Sequence, residues 1–110
     1  MNPVTPCFSI EEVRTNIDRI DQKIVALLAE RGEYVKQAAR FKKNADDVKA
    51  PQRVEQIIAK VTALSKELGA NPSVTEQVYR AMIYGFIKTE MEEHRAQRRL
   101  IIQKSGDSDF

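Results

Sequence analysis

Residues 10–41 read IEEVRTNIDRIDQKIVALLAERGEYVKQAARF, and their apolar spacing decides the fold. Ile10, Val13, Ile17, Ile20, Ile24 and Leu27 recur at steps of three and four; Arg31 takes the next core position, and Tyr34, Ala38 and Phe41 resume the stripe. That period places them all on one face of a single helix. Arg31 therefore points where a partner helix should pack, and a guanidinium there is costly unless an anion meets it. Arg14 and Lys42 each follow a stripe residue by one position and flank the same face. Three cations along the edge of one apolar stripe suggest a binding site for a small polyanion.

The rest of the chain is punctuated as helices too. Ser9-Ile10-Glu11-Glu12 is a capping box, and the helix it opens is expected to reach about Lys43, with Gly32 as its one weak point. Asn44 to Ala50 reads as a polar, acidic connector. Pro51 suits the first turn of a second helix with Val54, Ile57, Ile58, Val61, Leu64 and Leu68 inward, and Gly69 ends it. Past Asn71-Pro72, a second capping box at Ser73-Val74-Thr75-Glu76 opens a third helix with Val74, Val78, Met82, Gly85 or Phe86, and Met91 inward, fraying past Arg98. The fold expected is all-α, three helices with a long first helix. Residues 1–8 read as an N-terminal tail, 9–102 as the helical domain and 103–110 as a disordered C-terminal tail.

Eighteen basic and sixteen acidic residues are intermixed, leaving a formal charge of +2, so no large field of one sign points to nucleic acid or an anionic membrane. The single cysteine, Cys7, has no internal partner, which fits a reducing compartment. The first residues lack a basic stretch followed by an apolar one, and no segment approaches the length of a membrane span. These features together predict a soluble cytoplasmic protein.

Axial distances add a prediction about assembly. The first helix should be roughly 50 Å long, the second about 27 Å and the third about 40 Å, too little to cover the long stripe in a compact monomer. Arg31 and Lys42 lie roughly 16 Å apart along the axis, a gap two long side chains can close on a small molecule, whereas Arg14 is about 26 Å from Arg31. If two copies of the helix pair antiparallel about a midpoint near residue 26, Arg14 of one chain falls between Arg31 and Lys42 of the other. One seam then builds two identical mixed-chain pockets, in an intertwined helical homodimer.

The order Arg14, Arg31 in Ala29-Glu30-Arg31, Phe41-Lys42 and Pro51-Gln52-Arg53, with Glu90 on the third helix, resembles the all-helical (type II) chorismate mutases from Ser9 to about Arg95. The wording Ile17-Asp18-Arg19-Ile20-Asp21, Tyr34-Val35-Lys36, Ala39-Arg40-Phe41-Lys42 and Ala50-Pro51-Gln52-Arg53-Val54 is most similar to the isochorismate pyruvate lyase branch of that family, which makes salicylate. The resemblance implies a dicarboxylate substrate and a pericyclic reaction that needs no nucleophile, metal or cofactor. By similarity, Arg14 from the partner chain and Arg31 clamp the carboxylates, Lys42 donates to the ether oxygen, Arg53 supports the site from the start of the second helix, and Val35 and Val54 belong to the substrate site. The connector from Asn44 to Ala50 would act as a lid.

Two positions depart from the mutase pattern. Many mutases carry a glutamate after the second-helix arginine, where this chain has Val54, which favours the lyase branch or a weaker mutase. Where bacterial relatives often use glutamine toward the ether oxygen, this chain has Glu90, and a carboxyl can donate only when protonated. Three functions are therefore carried forward: chorismate mutase first, isochorismate pyruvate lyase second, and a non-enzymatic helical dimerisation module in which Arg31 only sets register. His94 reads as solvent-facing beside Arg95, with no second histidine to form a metal site. The cluster Arg95, Arg98 and Arg99 reads as complementing the helix dipole.

Overall fold

The computed structural model describes residues 4–108, and every regular element among them is helical. The helices are α1 (Ile10–Ala39), α2 (Ala45–Lys49), α3 (Pro51–Leu68) and α4 (Pro72–Ser108). The chain divides into two compact units, Met1–Tyr34 and Val35–Phe110. No described helix is long and apolar enough to cross a membrane.

The first unit is built on most of α1. The expected capping box is present: Ser9 Oγ accepts from the Glu12 amide at 3.1 Å, while Glu12 Oε2 reaches back to the Phe8 amide at 2.9 Å. The helix runs through Gly32 without a break. None of the described residues of this unit is buried, and Ile10, Ile17, Ile20, Ile24 and Leu27 are 45–62% exposed. The unit has an exposed apolar stripe and no core of its own.

The second unit begins with the end of α1, which closes at Ala39 and not near Lys43. Arg40, Phe41 and Lys42 donate to the carbonyls of Gln37, Ala38 and Ala39, so the last turn tightens into i→i+3 bonds and the helix stops. The connector is not a plain loop. Asn44 Oδ1 accepts from the Asp47 amide at 2.9 Å and Asp47 Oδ2 accepts from the Lys43 amide at 3.0 Å, a reciprocal cap that starts the short α2. Ala50 ends α2 and begins α3 in a left-handed conformation (φ 35°, ψ 62°), with Pro51 in the first turn of α3. Gly69 closes α3 at φ 75°, where a side chain would be strained.

Asn71, and not Ser73, starts α4: its Oδ1 accepts from the Ser73 amide at 3.0 Å. Pro72 is preset for the first helical position and has no amide to satisfy. Contacts at both ends show α3 and α4 to be antiparallel. Ser65 Oγ is hydrogen-bonded to Thr75 Oγ1 near the connection, and Arg80 grips both carboxylate oxygens of Glu55 at 3.0 and 3.2 Å farther on. Ile58 of α3 and Ile83 of α4 are 5% exposed, joined in the core by Val48 of α2 and Ala39. The buried face of α4 differs from the sequence expectation: Val74 and Val78 are exposed, and the face runs through Ile83, Glu90 and His94. α4 continues past Arg98, where fraying is expected, and through part of the segment expected to be disordered, to Ser108. Neither Pro nor Gly interrupts residues 86–105, so the helical ladder propagates. Residues 109 and 110 of the expected tail lie outside the described residues.

Candidate functional site

Lys42 sits where the tightened end of α1 meets the cap of α2. Its ammonium donates to the main-chain carbonyl of Asp47 at 3.1 Å and lies 3.8 Å from Glu90 Oε1. The side chain is half-buried, and α4 supplies the opposing wall. Two residues that the sequence singles out separately are thus brought face to face.

Glu90 is 7% exposed, and its Oε1 has no hydrogen-bond partner among the described residues. A separation of 3.8 Å from Lys42 is an ion-pair distance, too long for a hydrogen bond. Burial raises the carboxyl pKa above the ordinary value by penalising the charged form, and the neighbouring Lys42 and His94 act in the opposite direction without cancelling the effect. Protonated, Glu90 is a hydrogen-bond donor beside an ammonium. Together they can stabilise negative charge developing on one oxygen.

His94 is the correction that matters most here. It is 8% exposed, not solvent-facing, and its Nε2 is 3.0 Å from the Lys42 carbonyl oxygen. It lies one helical turn beyond Glu90, on the face opened by Ile83 and Ile87. The signal was present in the sequence: Ile83, Ile87, Glu90 and His94 follow the steps of four and three that define one helical stripe, with polar residues in its last two places. Asp47 has a sequence signal too: Asn44 followed three residues on by an acidic residue is a helix-start pattern.

The other expected site residues are distributed as follows. Val35 is half-buried near the end of α1. Arg53 is exposed in the first turn of α3. Val54 is half-buried and lines a hollow of about 400 Å³ with Ile83 and Ile87 of α4 and the Arg80–Glu55 pair. On the first unit, Arg14 is exposed and Arg31 half-buried. Among the described residues no group of three or more His, Cys, Asp or Glu side chains could hold a metal ion.

The sequence profile of the family chorismate mutase type II matches residues 13–91. An isochorismate pyruvate lyase of Pseudomonas aeruginosa is 32% identical over 92 residues, covering 84% of this chain and 91% of that protein. A chorismate mutase of Methanocaldococcus jannaschii is 29% identical over 75 residues, 67% of this chain and 76% of the relative. A bifunctional chorismate mutase/prephenate dehydratase of Aquifex aeolicus is 33% identical over 85 residues, 74% of this chain but only 24% of that longer protein.

Proposed function

The chain belongs to the type II chorismate mutase family, and from that premise we propose that it is a chorismate mutase, rearranging chorismate to prephenate without a cofactor. The observation that carries the proposal is the pairing of Lys42 with a buried Glu90 whose carboxyl is pushed toward its protonated form. In the rearrangement the ether C–O bond breaks as a new C–C bond forms, and negative charge gathers on the ether oxygen. Lys42 and protonated Glu90 are two donors for that oxygen, and stabilising charge present only in the transition state raises turnover. Arg31 and a partner's Arg14 would hold the two carboxylates in the compact conformer, with Val35, Val54 and Arg53 completing the substrate site.

The partner is a second copy of the chain, as the sequence spacing suggests, and the exposed Ile17, Ile20, Ile24 and Leu27 of α1 support it. A second reading, isochorismate pyruvate lyase, is favoured by Val54 and by the relative of that name, which the chain matches over 91% of its length. The purified protein should be given chorismate and, separately, isochorismate, with prephenate assayed in the first case and salicylate plus pyruvate in the second. Prephenate formation at enzymatic rates supports the leading reading. Salicylate and pyruvate alone replace it with the second, and turnover of neither leaves a helical dimerisation module.

A further inference from the structure

His94 is the single histidine of the chain, and the mutase chemistry proposed above does not use it. Its surroundings are specific. The ring is buried on α4, and Nε2 approaches the Lys42 carbonyl at 3.0 Å. A carbonyl only accepts, so Nε2 must carry a proton; in the neutral ring this fixes the tautomer and leaves Nδ1 without one.

The carbonyl that His94 meets is of a kind that needs a partner. Lys42 lies just past α1, where the last carbonyls of a helix have no intrahelical donor, and α2 does not begin until Ala45. At the other end of the same residue, Nζ donates to Asp47 O at 3.1 Å and faces Glu90 at 3.8 Å. Lys42 is therefore held by its main chain from His94 and by its ammonium from α2 and Glu90. The two α4 groups are one helical turn apart, so a single rigid element sets both the backbone of the lysine and the carboxyl opposite its ammonium.

We infer that His94 is a positioning residue for Lys42: through its Nε2–H bond to the Lys42 carbonyl it fixes where the lysine leaves the α1–α2 junction and so aims the ammonium at the place Glu90 faces. His94 acts through Lys42 and touches no substrate. The inference deepens the proposed function and rests on it for its kinetic consequence, whereas the His94–Lys42 contact stands independently.

The test pairs two substitutions. His94→Phe keeps an aromatic ring in the buried site and removes the donor; His94→Gln places an amide N–H close to the position of Nε2. Loss of the positioning bond should lower kcat for the mutase or lyase reaction by about tenfold in His94→Phe, with KM changed much less, and His94→Gln should recover most of it. Packing alone would produce the reverse order, with phenylalanine the better tolerated. The contact is read separately by nitrogen NMR of the imidazole and by the carbonyl carbon shift of Lys42 in the full-length protein. The Nε2–H tautomer and a shifted Lys42 carbonyl in His94→Phe support the inference even if neither substrate is turned over, an outcome that would remove only the proposed function. A ring protonated at Nδ1 alone, or wild-type kcat in His94→Phe, overturns it.

Discussion

Nζ of Lys42 and Oε1 of Glu90 face each other at 3.8 Å, close enough for their charges to couple and too far apart to share a proton directly. A donor pair held just beyond hydrogen-bond distance leaves both members available to a third atom. If that atom is the ether oxygen of chorismate, the protonation state of Glu90 controls the rate.

The first prediction follows from that dependence. Only the protonated carboxyl donates, and burial holds its pKa above the usual carboxylate range, extending the active form toward neutral pH. Turnover should be greatest on the acid side and fall about tenfold for each unit of pH above the raised value. Glu90→Gln donates at every pH, so its profile should be flat through the same range. The measurement is kcat/KM against pH for both proteins; identical profiles would take Glu90 out of the mechanism.

The same shift has a consequence for stability, of opposite sign to that of a salt-bridged carboxylate. The folded state binds the Glu90 proton more tightly than the unfolded chain, whose value is near 4.5. Below that pH both states are protonated and Glu90 contributes nothing. As pH rises from about 4.5 through the raised folded value, the unfolded state ionises first and stability is lost, and above the folded value the loss is complete. Thermal melts should therefore show Glu90→Gln equal to wild type near pH 4 and increasingly more stable than wild type as pH rises to 7 to 8. A variant less stable than wild type at pH 8 would mean that the Lys42 pairing outweighs burial.

A third prediction concerns the junction between α2 and α3. Ala50 is the one non-glycine residue with positive φ among the described residues, and a left-handed conformation costs an L-residue of this type roughly 1–2 kcal/mol. Ala50→Gly removes that strain but adds freedom to the unfolded chain, so the expected net gain is about 0.5–1 kcal/mol in chemical denaturation. A loss of stability would show that the Ala50 methyl contributes packing that outweighs its backbone strain.

How far the sequence could be read depended on whether its signals were local. Ser9 with Glu12, Pro51 and Gly69 each act within one helical turn, and each marks the boundary it was expected to mark. Asn71 displaced Ser73 because a proline between them already satisfied the first helical position, a competition between two valid local signals. The polar end of the α4 stripe was harder to read. Histidine and glutamate on a charged helix look solvated until Lys42 and its carbonyl arrive from a distant part of the chain to meet them, and spacing within α4 holds no information about that. Lys42 is legible from its place beside the apolar stripe of α1 and Glu90 through family resemblance, whereas His94 belongs to neither signal.

The last prediction tests the mixed-chain pocket, for which the exposed stripe of α1 is the structural support. Arg14→Ala and Lys42→Ala should each abolish most turnover as homodimers, by a factor of about 10²–10³ where a charge-stabilising donor is lost. Co-expression of the two variants separates the possible architectures. In a heterodimer whose pockets each take Arg14 from one chain and Lys42 from the other, one pocket recovers both wild-type residues and the other loses both. Random pairing gives half heterodimers, so the mixture should recover about a quarter of wild-type activity. Pockets formed within a single chain would leave every site with one lesion and no recovery. The heterodimer should be isolated with two affinity tags and assayed beside each homodimer, with sedimentation confirming the assembly; a monomer, or an inactive heterodimer, would remove the shared pocket.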